Sequence, residues 1–509
     1  MSNNQLIVYQ LPKNNKKSIL EYKSDPSFSD FPNMPNFKYG FYHYIHQTKD
    51  KMELFESKDE GKAKHIHKII NAFEDTVPQD DPTRQFKNDK LKPTDDINTF
   101  SIKYFNSDRI ISRAFYKLWE LLMMFPLIKD GSKNINTIHI AEAPGSFAQA
   151  VILYRQKFFT KDQIKDDFYV GTSIEPNNSK EYVPSFNHEL TKHKQFNQWL
   201  YKDADLTNPD IIKKFIIDHK KDKADFITAD GGFNWKDENY QEQEAYILLL
   251  CEIYCAIETQ KVGGSFVIKF FETFTETTVK MIEILKRFYK NVIITKPLLS
   301  RPSNSERYMV CIDFIGNQHS EKLLDVIEKA YKQPDKYLVD IFPDYQINHE
   351  LDMMIKISAT QLSNIQHKQI NEMISYYNDG NYYGDAYRNY LKNRRDANDF
   401  WISLFFPLST TDLVKTRKVI SSVLVKSLDI VKQKVEELNT NLINTEIDYD
   451  SSTDTETEYN SDSDRKTRKT EYESDNSKKE YTDKGYKKTY TEKSSKDSKK
   501  DFNSNKRKK

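Results

Sequence analysis

The chain has 509 residues, with 77 Lys or Arg balanced by 76 Asp or Glu, so it has room for two or three domains and is not a polycation. Any contact with nucleic acid therefore has to come from a local patch rather than from the overall field. Its cysteines, Cys251, Cys255 and Cys311, lie in apolar segments without disulfide-framework or metal-finger spacing, which points to a reducing compartment and no metal centre.

Residues 1–100 read as a polar N-terminal extension carrying Phe28, Phe31, Phe37, Tyr39, Phe41 and Tyr42. Such rings either stack on bases or pack an irregular arm onto a neighbouring domain. A helix is expected from about Met52 to Phe73; His65 and His67 within it lack a third ligand, so no metal site is expected there. No apolar run has the length of a membrane span, and the N-terminus lacks a signal-peptide pattern. A soluble intracellular protein is expected, nuclear or cytoplasmic.

Ser107 to Leu122 has helical periodicity, with Ser107 as N-cap and Ala114, Leu118, Leu121, Leu122 and Phe125 as the apolar stripe. Lys117 borders that stripe. This is the place of a snorkelling edge residue, or of an ammonium held over a site at the end of a sheet.

Ile138 to Ala141 follows as a buried strand, then Glu142, a Pro144-Gly145 turn, and a helical run from Ser146 to Phe158. A strand, a tight turn and a helix hold nucleotide-like ligands at the strand's carboxyl end. Gly145 lets the backbone approach a ligand, and the helix start offers N–H groups. The turn lacks the spaced glycines of a dinucleotide fingerprint.

Further strands are expected at Phe168–Thr172, leading to Ser173 and Glu175, and at Asp225–Ala229, which delivers Asp230-Gly231-Gly232. Ser265–Phe270 encloses Lys269, and Asn291–Thr295 and Arg307–Phe314 complete the set. Helices are expected from Asn208-Pro209 onward, over Tyr240–Lys261 with Gly263-Gly264 as its stop, and over about Thr277–Tyr289. This alternation predicts an α/β domain with a doubly wound, mostly parallel sheet and an antiparallel hairpin at one edge.

Residues 321–445 read as a helical C-terminal region. Its stretch from Tyr376 to Arg395 mixes tyrosines with Lys392, Arg394 and Arg395, either an RNA-facing surface or a solvated helix face. Residues 446–509 are a charged tail too poor in aliphatic residues to fold, ending in Lys506-Arg507-Lys508-Lys509.

The charged residues at strand ends and edges are Lys117, Asp230, Lys269 and Glu306. A lysine inside an apolar strand is costly unless paired, so two lysines and two carboxylates that converge form either a structural ion network or a site. The surrounding blocks are Ser112-Arg113-Ala114-Phe115-Tyr116-Lys117-Leu118, Ala143-Pro144-Gly145-Ser146-Phe147, Asp225 to Asp230, Gly263 to Lys269, and Ser305-Glu306-Arg307-Tyr308. In this order, over roughly residues 101–320, they resemble the FtsJ/RrmJ-type S-adenosylmethionine-dependent RNA 2′-O-ribose methyltransferases, of Rossmann-like fold.

The resemblance implies a catalytic tetrad of Lys117, Asp230, Lys269 and Glu306. It also implies an S-adenosyl-L-methionine site lined by Glu142, Ala143, Pro144, Gly145, Ser146, Phe147, Asp205 and Asp230. Ser173 stands where many relatives carry the acid for the cofactor ribose, which leaves that role to Glu175 or to no residue. Asp230 is followed by Gly-Gly-Phe rather than the family's Met-Ala-Pro type of turn. The flanks resemble those of the larger eukaryotic and large-DNA-virus members, which implies capped mRNA as substrate and other mRNA-processing or transcription proteins as partners. An RNA-binding or polymerase-accessory subunit on the same fold is the alternative. Burial and Lys117 would lower the pKa of Lys269 while Asp230 and Glu306 oppose that change.

Overall fold

The structure, a computed structural model, describes residues 6–13, 18–58, 71–73, 97–107, 109–174, 184–232, 235–379, 384–422 and 433. Glu175, His65, His67 and the whole of the 446–509 tail lie outside the described residues.

The strands in chain order are β1 (Ile7–Gln10), β2 (Ser27–Ser29), β3 (Asn136–Ile140), β4 (Phe168–Thr172) and β5 (Phe196–Trp199). They continue with β6 (Ala224–Ala229), β7 (Gln260–Phe270), β8 (Tyr289–Lys296), β9 (Arg307–Phe314) and β10 (Tyr337–Asp340). Eight of them form one sheet in the order β1-β8-β9-β7-β6-β3-β4-β5. From β7 to β5 every pair is parallel, β9 runs antiparallel to both β7 and β8, and β1 is antiparallel to β8. Strand order reverses between β3 and β6, and the crevice outside the carboxyl ends of such a pair is where an open α/β sheet takes its ligand.

The longer helices are α1 (Tyr39–Lys58), α2 (Ile97–Phe105), α3 (Ala114–Met124), α4 (Ser146–Phe158) and α5 (Pro209–His219). After them come α6 (Tyr246–Thr259), α7 (Glu276–Phe288), α8 (Glu321–Tyr331), α9 (His349–Asp379) and α10 (Asp385–Phe405). Alternate residues of a strand point to opposite faces, and the core divides accordingly. Ile138, Ile140, Ile227, Phe266 and Ile268 pack with α5, α6, α7 and α8. Phe226, Val267, Tyr308 and Val310 pack on the other side with α3, α4 and α10. This is the doubly wound arrangement that the sequence predicts.

Several boundaries differ from expectation. The helix carrying Lys117 starts at Ala114, so Ser107 is not its N-cap. The residues before it are strapped to α4: Ile111 N–H donates to Gln149 Oε1 (2.9 Å), Gln149 Nε2 donates to the Arg109 carbonyl (2.9 Å), and Ser112 Oγ meets Ser146 Oγ (2.7 Å). Periodicity cannot register bonds of this kind. Gly263 and Gly264 lie inside β7 instead of stopping a helix, and Gly264 allows a close backbone approach, since a Cβ there would stand 2.8 Å from the Asp225 carbonyl oxygen. The antiparallel pair exists, but β9 is inserted between β7 and β8, and β1 from the N-terminal extension takes the edge.

The first helix begins at Tyr39 rather than Met52, and residues 71–73 are not helical. Phe37, Phe41 and Tyr42 around its start pack on Phe274, and Phe28 packs on the core, so the arm is a packing element; Phe31 stays exposed. In the C-terminal region Tyr376 and Arg394 are buried, which removes them from any solvent-facing RNA surface.

Candidate active site

Lys269 shares the strand face of Val267, Asp230 continues the face of Thr228, and Glu306 precedes the face of Tyr308 and Val310. That is the face covered by α3, which carries Lys117. Strand parity therefore turns Asp230, Lys269 and Glu306 toward one place, and α3 brings Lys117 over it. Lys117 Nζ donates to Glu306 Oε2 at 2.7 Å. Lys269 Nζ lies 3.3 Å from Asp230 Oδ1 and donates to the Asp230 carbonyl oxygen at 3.0 Å. The side chains of Lys117 and Lys269 are 14% and 13% exposed, sheltered from bulk water yet reachable by a substrate.

Burial is the largest influence on Lys269 and lowers its pKa, but Asp230, Glu306 and Glu252 together outweigh it and hold the ammonium above the ordinary lysine range. Burial likewise acts to raise Glu306, and Lys117, Lys269 and Lys296 overcome it, so this carboxyl is held well below its usual range. The resting site is an alternating set of charges, with Lys269 protonated.

Several contributors were not identified from the sequence. The Tyr308 hydroxyl donates to Asp230 Oδ1 at 3.1 Å. The Ser300 hydroxyl donates to Glu306 Oε1 at 2.7 Å. Lys296 Nζ donates to the Glu306 carbonyl (2.6 Å), Asn304 Oδ1 (2.7 Å) and Ser300 Oγ (3.2 Å), and burial brings its pKa down to about 7. A lysine ending an apolar strand was the available signal for Lys296. The loop positions of Ser300 and Asn304 carry none.

The Glu142–Phe147 turn differs from expectation in one respect. Gly145 takes the left-handed conformation (φ 103°) and opens α4, but two amides at the helix start are already taken. The Glu142 carboxylate accepts from Phe147 N–H, and from Ala148 N–H at 3.4 Å. Burial pushes the Glu142 carboxyl well up, and the nearby Asp230 adds to this. A phosphate has no place at a helix N-terminus that a carboxylate already fills. An acidic end of β3 and β6 instead suits a cation lying between them.

The Ala143-Pro144 peptide bond is cis. The Pro144 carbonyl accepts from Asn187 N–H at 2.9 Å, and Phe186 and Leu190 pack against Gly145. The Thr172 hydroxyl, at the carboxyl end of β4, is buried and has no hydrogen-bond partner among the described residues. Asp205, beyond β5, accepts from Thr207 N–H (2.9 Å) and Oγ1 (2.7 Å). An orphan hydroxyl and a carboxylate beyond neighbouring strands suit the hydroxyl and amino groups of a nucleoside.

Residues 110–314 match the family model of the FtsJ-like methyltransferases. This segment is an FtsJ-like methyltransferase domain. The chain is also similar to cap-specific mRNA (nucleoside-2′-O-)-methyltransferase 2 of Drosophila melanogaster, 27% identical over 291 residues, with 53% of this chain and 40% of that protein covered. It is 33% identical to cap-specific mRNA (nucleoside-2′-O-)-methyltransferase 1 of Mus musculus over 225 residues, covering 42% of this chain and 26% of that protein. The chain thus spans less than half the length of these relatives. A solved structure from Plasmodium falciparum, described as a ribosomal RNA methyltransferase, aligns over 40% of this chain and 98% of its own at 24% identity, with a TM-score of 0.27. No helix among the described residues of the FtsJ-like domain or its flanks is long and apolar enough to cross a membrane.

Proposed function

We propose that this protein transfers a methyl group from S-adenosyl-L-methionine to a ribose 2′-hydroxyl of RNA, at the cap-proximal nucleotide of mRNA. The observation that carries this reading is the Lys117–Glu306 and Lys269–Asp230 pairing at the carboxyl edge of the sheet inside an FtsJ-like domain. The names of the fly and mouse relatives support capped mRNA as the substrate.

When bound, the cofactor supplies a methyl carbon on a positively charged sulfur. Glu142, Ala143, Pro144, Gly145, Ser146, Phe147 and Asp205 would line its place, Glu175 is a further candidate, and the carboxylates of Glu142 and Asp230 offset its charge. Lys269 accepts the 2′-hydroxyl proton through the neutral fraction that its raised pKa leaves, and Asp230 holds its Nζ in position. Lys117, held by Glu306, orients the ribose and faces the negative charge that develops on its oxygen. Alignment of oxygen, methyl carbon and sulfur is the main requirement, and a rigid sheet edge supplies it.

The test is transfer of labelled methyl to a capped RNA, an uncapped RNA, and a capped RNA with a 2′-deoxy first nucleotide. Transfer to capped RNA alone, lost with the deoxy substitution, is the expected result. Equal transfer to uncapped RNA would move the site to internal nucleotides. Absence of transfer with RNA still bound would favour an accessory subunit.

A further inference from the structure

Beneath the turn that follows β6 sits an acid with no part in the reaction as described. Glu252 interrupts the apolar run of α6 and is 1% exposed. Its Oε1 accepts from Gly231 N–H at 3.2 Å, while its Oε2 is buried without a hydrogen-bond partner among the described residues. A Cβ at Gly231 would stand 2.3 Å from Glu252 Oε1 and 2.9 Å from Leu248 Cδ2, so glycine at 231 lets the acid sit this close to the turn without either side chain shifting. The departure of this turn from the family pattern and the buried acid are thus one structural unit. Lys269 borders the same turn. Its Nζ donates to the Asp230 carbonyl at 3.0 Å and lies 3.4 Å from where a Cβ of Gly232 would be.

We propose that Glu252 is a positioning residue for the methyl transfer, propping the Asp230-Gly231 turn through the Gly231 amide and adding its own charge to the surroundings of Lys269. The proposal rests on the methyltransferase reading above. The ionisable groups that face Glu252 are Lys269 from β7, Asp230 from the end of β6, and Cys251 and Cys255 from its own helix. Burial, opposed by Lys269 and reinforced by Asp230, pushes the Glu252 carboxyl up to about 8. Glu252 is also one of the carboxylates that hold Lys269 above its ordinary range. Near neutral pH the acid is mostly protonated and leaves Lys269 to Asp230 and Glu306. At higher pH it ionises and tightens the hold of Lys269 on its proton. Glu252 therefore restrains the gain in neutral Lys269 under alkaline conditions.

The experiment is NMR titration of Lys269 in the full chain labelled with 13Cε-lysine, its signal assigned by Lys269→Arg, in the wild type and in Glu252→Gln. Glutamine keeps an oxygen for the Gly231 amide and lacks the charge. The Lys269 titration should fall by on the order of one pH unit in Glu252→Gln, with cofactor affinity retained and the pH–rate profile displaced in the same direction. A Lys269 titration that does not move overturns the proposal. Glu252→Met, which fills the volume without charge, is read in the same way if the glutamine variant fails to fold. Absence of methyl transfer by the wild type would overturn the RNA reading, and the Lys269 titration would still decide the role of Glu252.

Discussion

Lys269 shows how much of the site was readable at the scale of single residues. One lysine inside the apolar run Ser265–Phe270 marks itself as needing a partner, and the even spacing of Val267 and Lys269 gives its face. The sign of its pKa shift was not readable, since burial and the carboxylates oppose one another and only their distances decide. With Lys269 raised above the ordinary range, the neutral fraction grows about tenfold per pH unit below its titration. Single-turnover methyl transfer should therefore rise with pH from neutral into the alkaline range, and a flat profile would remove the lysine from the role of base. Lys269→Ala should abolish transfer and leave cofactor affinity nearly unchanged, as measured by calorimetry. Equal loss of both would assign the lysine to the cofactor site.

At the scale of elements, α3 carries Lys117 but depends on contacts that no local pattern records. Glu120, one turn further along α3, is fully buried and accepts from Leu298 N–H (2.7 Å), Leu299 N–H (2.9 Å) and Trp401 Nε1–H (2.9 Å). It ties α3 to the loop that brings Ser300 and Glu306 to the site, and to α10. Glu120→Ala would orphan three buried donors and should lower stability by on the order of 3 kcal/mol in urea unfolding. Burial pushes the Glu120 carboxyl up from 4.5 to about 7, against the three donors. A raised carboxyl contributes its stability fully below the unfolded value and loses it as pH rises through the folded one. The wild-type unfolding midpoint should thus fall relative to Glu120→Gln as pH climbs from about 4.5 through 7; parallel curves would show that Glu120 does not titrate there. The helix was legible in sequence, but its start was not, because Arg109 to Ser112 are held to α4 by Gln149 and Ser146.

Over the whole molecule, the described parts of the N-terminal extension and of the helical C-terminal region are built into the domain. β1 pairs with β8, its Tyr9 hydroxyl bonds to Gln361 of α9, and β2 pairs with β10. Lys49 of α1 forms a buried pair with Glu272, three residues beyond Lys269, at 2.8 Å. Burial acts to raise Glu272, and Lys49, with help from a backbone hydrogen bond and Arg307, more than offsets it, so the carboxyl is held low. Lys49→Met would leave that charge buried and unpaired, at a cost of about 3–5 kcal/mol. Adding Glu272→Leu should recover most of the loss in a double-mutant denaturation cycle; no recovery would mean that the pair does not carry the attachment of α1.

The amino-acid sequence by itself determined the alternation of strands and helices, the face on which Lys269, Asp230 and Glu306 lie, and the turn at Gly145. Each of these follows from a period or a residue type within a few positions. Tertiary structure alone decided that β9 enters between β7 and β8, that the N-terminal extension closes the edge, and that Glu142 fills the start of α4. It also decided that Gly231 makes room for Glu252, and that three carboxylates outweigh burial at Lys269. All of these depend on distances between groups far apart in the chain, and at a buried site such distances set both the hydrogen-bond partners and the sign of the electrostatics.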